Sequence, residues 1–280
     1  MRVNHVKQRL AAGGVAVGTM VMEFTVPSVV RIAEAATADF LLFDMEHTGL
    51  STERLATLAA VAAGTDVVPL VRVPAVDYQL MGRPLEVGAA GIMVPSVESA
   101  AQIEAVVAAA KYPPVGGRGT AFGIAHDGYR RGDPVETMRV ANEQTLVVAQ
   151  VETAAGIENV DEIAAVGGVD VVWIGHNDLT TSMGIPGQFD HPDYRAAVGA
   201  VVAACERHGR AAGFRADSAE HGEALLAEGF RCLAYLNDVA LFREGLRTGV
   251  ARIRAAADAA ADAAADEAAG PAEGRARTRG

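Results

Sequence analysis

The chain has 280 residues, half of them hydrophobic, and a formal net charge of −11. That length and apolar content fit one large α/β domain, and the acidic balance excludes nucleic acid, which needs a basic footprint. No apolar run reaches the roughly 18 residues of a membrane span, and the N-terminal MRVNHVKQRL, a basic amphipathic turn, lacks the apolar stretch of a signal peptide.

Short runs rich in Val, Ile, Leu and Phe alternate with longer Ala-rich stretches. This is the pattern of repeated βα units around a buried parallel sheet. Strands are predicted at residues 15–21, 40–44, 67–71, 92–95, 146–151, 169–174, 211–214 and 232–236. Helices are predicted at 28–36, 52–63, 78–87, 98–110, 155–165, 192–208, 219–228 and 239–257. Eight strands with eight helices favour a closed (β/α)8 TIM barrel over an open doubly wound sheet. No GxGxxG follows the first strand and no P-loop is present, so the usual signs of nucleotide binding are missing. Residues 111–144, with Pro113, Pro114, Gly116, Gly117, Gly119, Gly123 and Gly128, read as a long insertion of the kind that often carries function. The barrel domain is assigned to 1–257 and an Ala/Asp-rich tail to 258–280. That tail can extend the last helix as far as Gly270-Pro271; disorder is expected beyond.

The polar residues that punctuate these runs are the candidates for chemistry. Asp44, Glu46 and His47 follow the second strand. Arg72 ends the third, Glu152 ends the fifth and Asp178 lies just past the sixth. All therefore fall on the C-terminal rim, where barrel active sites lie. Glu152 and Asp178 offer hard oxygen ligands to a divalent metal; the competing reading is that each caps a following helix. His47, with Asp44 or Glu46 beside it, reads as a general base oriented by a carboxylate, or as a solvated loop histidine. Arg72 can clamp a carboxylate or form a structural ion pair with a rim acid.

The chain has two lysines, Lys7 and Lys111, against 22 arginines, and neither lysine ends a predicted strand. Imine catalysis needs a lysine in the site, so it is excluded on placement. The cysteines Cys205 and Cys232 imply no disulfide framework and point to a reducing cytoplasmic setting.

These residues also carry a family resemblance. The segments Phe43-Asp44-Met45-Glu46-His47, Val71-Arg72-Val73-Pro74 and Gly91-Ile92-Met93-Val94-Pro95 belong to it. So do Lys111-Tyr112-Pro113-Pro114-Val115-Gly116-Gly117-Arg118-Gly119, Gln150-Val151-Glu152-Thr153 and Asp178-Leu179-Thr180. In order and spacing, over roughly residues 5 to 250, they resemble the HpcH/HpaI aldolase family. The resemblance implies a metal-dependent (class II) aldolase that cleaves or forms 4-hydroxy-2-oxo acids. Its partners would be a small oxo acid and an aldehyde, with pyruvate as nucleophile. It implies that Glu152 and Asp178 bind Mg²⁺, with Mn²⁺ or Co²⁺ as substitutes. Arg72 would stabilise the enolate oxygen, Gln150 would contact the keto acid, and amides near Asn177 and Asp178 would hold its carboxylate. His47, paired with Asp44, would be the acid/base. It further implies a homohexamer, a trimer of dimers that exchanges the last barrel helix. The alternatives are a related biosynthetic lyase or decarboxylase using the same metal–enolate site, or an acyl-CoA lyase. Two positions depart from the family pattern: Met45 replaces a glycine, and His176 replaces the proline of Gly-Pro-x-Asp-Leu. Residues 120–129, with Phe122, His126 and Tyr129, also differ and are expected to face the aldehyde half.

Overall fold

Each apolar run becomes a strand because both of its faces are covered, and each strand pairs in parallel with the next. In the computed structural model, which describes residues 2–269, these strands close a barrel in sequence order. They are β1 (Ala16–Val21), β2 (Phe40–Asp44), β3 (Val68–Arg72), β4 (Gly91–Val94), β5 (Leu146–Val151), β6 (Val171–Ile174), β7 (Ala211–Ala216) and β8 (Phe230–Asn237). All eight overlap a predicted strand.

Alternation along each strand divides the core in two. Phe40, Leu42, Val68, Leu70, Met93, Leu146, Val148, Val171 and Trp173 fill the barrel interior. Their neighbours Leu41, Phe43, Val71, Ile92, Val147, Ala149, Val172 and Ile174 face outward into the helical layer. Interior packing needs small residues opposite large ones. Gly213, in register with Trp173 on the adjacent strand, is one of them: a Cβ there would lie 2.4 Å from the indole.

The helices are α1 (His5–Ala11), α2 (Ser28–Ala35), α3 (Thr52–Ala62), α4 (Tyr78–Glu86), α5 (Ala100–Ala110), α6 (Pro134–Gln144), α7 (Ala154–Glu158), α8 (Val160–Ala165), α9 (His176–Ser182), α10 (Pro192–His208), α11 (Ala219–Ala227) and α12 (Asp238–Ala269). Helices α1, α3, α4, α5, α6, α7, α10 and α11 start where a side chain caps the first turn. Three helices go beyond the predicted elements. The N-terminal turn is a full helix, α1, because the Asn4 side chain caps the Lys7 N–H. The 111–144 insertion ends in helix α6, for which Asp133-Pro134 supplies both a cap and a first-turn proline. A short helix, α9, directly follows β6.

The predicted helix at 155–165 is broken into α7 and α8 at Asn159. The last helix continues to Ala269, so residues 258–269 extend α12. Residues 270–280 of the assigned tail lie outside the described residues. The chain divides into two compact units at Asp238, and α12 from Val239 onward is the second. Cys205 and Cys232 are both free and buried. Among the described residues no helix is long and apolar enough to cross a membrane.

Candidate active site

At the C-terminal mouth the inward-facing positions turn from apolar to polar. Asp44 comes two residues after Leu42, Arg72 two after Leu70, Gln150 two after Val148 and Glu152 two after that. On β7, Arg215 comes two after Gly213. One row of inward positions therefore carries five polar side chains onto the same rim.

Register makes the first pair. Asp44 on β2 lies directly opposite Arg72 on β3. The Arg72 guanidinium donates from Nε to Asp44 Oδ1 at 2.9 Å and from Nη2 to Oδ2 at 2.7 Å. Asp44 is fully buried and also accepts the Glu46 N–H at 3.0 Å. Glu46 Oε2 lies 3.2 Å from Arg72 Nε and 3.6 Å from His47 Nε2. The acid beside His47 is thus Glu46, while Asp44 is spent on Arg72. Burial by itself would lower the Arg72 pKa, but the Asp44 hydrogen bonds and the charges of Asp44, Glu46 and Glu152 raise it above the ordinary value. Burial raises the Glu46 pKa, with Arg72 and His47 pulling the other way.

Glu152 is buried just past β5 and does not cap a helix. Thr153 does that, its side chain accepting the Gly156 N–H at 3.1 Å. The Glu152 carboxylate is held by Ser96, whose N–H and Oγ donate to Oε1 at 2.8 and 3.0 Å. Ser96 reaches that position with φ at +53°, a left-handed backbone that a non-glycine residue adopts only under local constraint. Gln150 Nε2 donates to the other Glu152 oxygen, leaving Gln150 Oε1 buried without a partner among the described residues. A Cβ on Gly175 would stand 2.1 Å from Glu152 Oε2. The Glu152 carboxylate therefore rests on the backbone three residues before Asp178, in the first turn of α9. Asn177 and Asp178 are exposed.

His47, Arg72, Gln150, Asn177, Asp178 and Arg215 share a cavity of about 200 Å³ with an apolar wall of Met20, Met22, Met93 and Trp173. His176 also lines it, is buried and stacks on Phe214 at 5.0 Å. Burial, and next the Arg215 charge, push its pKa down to about 4. A larger cleft, about 850 Å³, lies elsewhere, between α3, α4 and residues 124–130. His126 and Tyr129 line that cleft and not the cavity at the barrel mouth, which departs from the sequence expectation for this segment. The chemistry-bearing residues converge on the smaller cavity, and placement at the barrel mouth outweighs size.

The donors fit a divalent metal. The carboxylates of Glu152 and Asp178 and the orphaned Gln150 oxygen are hard ligands. Among the described residues no group of three or more His, Cys, Asp or Glu side chains is placed to hold a metal. Lys111 lies at the opposite end of the barrel. Its Nζ donates to Asn142 O at 2.7 Å and to the carbonyl of Thr145, the residue before β5. Burial, and next the Lys7 charge, lower its pKa to about 7. It has the depressed pKa of an imine-forming lysine but not the position.

Fold and site together define a (β/α)8 enzyme that works at the C-terminal mouth of its barrel. The sequence profile of the HpcH/HpaI aldolase/citrate lyase family matches residues 20–244, and the chain belongs to that family. It is 34% identical to a hydroxypyruvate/pyruvate aldolase of Pseudomonas aeruginosa, over 91% of this chain and 94% of the relative. It is 36% identical to a 2-dehydro-3,6-dideoxy-6-sulfogluconate aldolase of Pseudomonas putida, over 72% of this chain and 79% of the relative. The crystal structure of an HpcH/HpaI aldolase from Desulfitobacterium hafniense superposes with a TM-score of 0.85 at 35% identity, over 89% of this chain and 96% of that one. The protein is a carbon–carbon lyase of the aldolase type, in a family of divalent-metal-dependent aldolases.

Two site residues escaped the sequence reading. Ser96 sits one residue past a predicted strand end, and its role depends on an unusual backbone conformation. Arg215 sits one residue past the predicted end of the seventh strand. A charged residue closing an apolar run was the available signal.

Proposed function

We propose that the protein reversibly cleaves 4-hydroxy-2-oxo acids to pyruvate and an aldehyde, with Mg²⁺ as the resident metal and Mn²⁺ or Co²⁺ able to replace it. The observation that carries this reading is that Arg72, Gln150 and Asp178 line one cavity with His47, while Asp44 clamps Arg72 and Gln150 bonds Glu152 behind them. Glu152 and Asp178 would hold the ion, which supplies Lewis-acid polarisation of the 2-oxo group.

The remaining work belongs to side chains. Cleaving the C3–C4 bond leaves negative charge on the pyruvate half. Arg72 has Nη1 uncommitted among the described residues, and that donor stabilises the charge where it develops. The Asp44 clamp fixes the direction of the guanidinium. Gln150 contacts the keto acid from the cavity wall, and the first backbone N–H groups of α9, near Asn177 and Asp178, hold the carboxylate. His47, oriented by Glu46, takes the 4-hydroxyl proton through a water and returns it in the synthetic direction. Met20, Met22, Met93 and Trp173 keep bulk water from the reacting carbons.

The active assembly in this reading is a hexamer, a trimer of dimers with α12 exchanged between subunits. Leu246 and Ile253, seven residues apart on α12, are exposed in the single chain and lie on one helix face of the kind that packs on a partner. The free, buried cysteines suit the cytoplasm.

The test uses only the pyruvate half of the site. Metal-stripped protein should not decarboxylate oxaloacetate, and Mg²⁺, Mn²⁺ or Co²⁺ should restore the reaction. Glu152→Ala or Asp178→Ala should abolish the restored activity while the circular dichroism spectrum stays that of a folded barrel. Full activity in either variant would refute the metal assignment.

A further inference from the structure

A separate cavity, about 340 Å³, lies between α10 and α11 against the outward side of β7. Its volume is that of a small-molecule pocket. His176 lines both this cavity and the catalytic one, so an occupant would rest against a ring that also walls the barrel mouth. The geometry points to this second cavity as a binding site for a small organic cation, an ammonium group on a short apolar stem. The site uses none of the groups assigned to the reaction, so it stands apart from the aldolase reading.

The walls set the chemistry of the ligand. Phe189 meets Tyr194 edge-on with ring centres 5.7 Å apart, and Phe214 meets His221 edge-on at 5.6 Å, all four lining the cavity. Aromatic faces attract cations. Three lining carboxylates, Asp190, Asp217 and Glu228, stand against one lining arginine, Arg195, which is paired with Glu228 at 2.6 Å. Arg215 pairs with Asp217 at 3.0 Å but lines the catalytic cavity instead. The Asp190 carboxylate makes no hydrogen bond or salt bridge among the described residues. Tyr194 is an independent sign of a ligand. It is 3% exposed and lines the cavity, and its hydroxyl makes no hydrogen bond among the described residues. Burial pushes its pKa up to about 12, so the hydroxyl keeps its proton. A buried tyrosine hydroxyl normally finds a partner, and an ammonium N–H donating to its oxygen would supply one. Val198 and Leu225 suit the apolar stem. An anion would meet the carboxylates, and a wholly apolar guest would leave the Tyr194 hydroxyl unsatisfied.

The test is calorimetric titration of the native protein with phenethylammonium and with 2-phenylethanol, a neutral molecule of the same shape. The ammonium should bind saturably and about tenfold or more tightly than the alcohol, the advantage of a desolvated cation over aromatic faces. Tyr194→Phe removes only the hydroxyl and should weaken the ammonium about tenfold, as loss of a charge-assisted hydrogen bond does. Asp190→Asn, at an exposed position, should weaken the ammonium about threefold, within the range of an exposed ion pair, and leave the alcohol unchanged. This second variant decides the matter if Tyr194→Phe folds poorly. No saturable binding of the ammonium, equal affinity for the two molecules, or unchanged affinity in both variants would overturn the assignment.

Discussion

Replacing Asp44 by Asn keeps the side chain's size and removes its charge. Asp44 is fully buried and the Arg72 side chain is 9% exposed, so the pair is little screened. With charge centres about 4 Å apart and an effective dielectric near 20, the gross attraction is about 4 kcal/mol. Asparagine keeps one acceptor, and Glu46 remains 3.2 Å from Arg72 Nε. The expected loss of stability is therefore about 2–3 kcal/mol, at or below the lower end for breaking a buried pair. Arg72 would also lose its fixed orientation. A misplacement of about 1 Å costs about 100-fold in rate, so kcat should fall by that order with a smaller change in KM. Urea unfolding of native protein, Asp44→Asn, Arg72→Met and the double variant yields the coupling energy, and steady-state kinetics the rest. A coupling energy near zero, or a stability change below about 0.5 kcal/mol, would refute the view that this pair organises the rim.

Gly175→Ala should displace the Glu152 carboxylate, because the new Cβ would stand 2.1 Å from Oε2; calorimetry should find metal affinity reduced at least tenfold, as disturbing the groups that orient a ligand commonly does. Lys111 predicts a pH dependence. Its pKa falls to about 7 in the native state from the ordinary 10.5, so between those values the unfolded chain holds more protons and stability rises with pH. Below about pH 7 the cost of the buried charge is complete. Unfolding by urea at pH 7 and 9 should show native stability gaining about 1 kcal/mol per pH unit relative to Lys111→Met; parallel slopes would remove Lys111 as the cause.

Much of the barrel was legible in the residues. Eight apolar runs became eight strands because parallel strands covered on both faces are apolar along their whole length. Polar residues at the ends of those runs marked the rim for Asp44, Arg72, Glu152 and Asp178. Helix α6 was missed although Asp133-Pro134 and Glu136 form a start signal; the glycines and prolines before it dominated the reading.

The same continuity that reveals such strands conceals which residues face inward. Alternation has no polar partner to display it, so only barrel closure decided that Asp44, Arg72, Gln150, Glu152 and Arg215 share one row. Register across β2 and β3 then decided that Asp44 clamps Arg72 and leaves His47 to Glu46. The left-handed turn at Ser96, which carries two donors to Glu152, is likewise a product of tertiary constraint. Local sequence determined the elements and the chemical types at their ends, because burial and capping act over a few residues. Pairing among those end groups depends on strand order, register and closure, which bring together residues far apart in the chain.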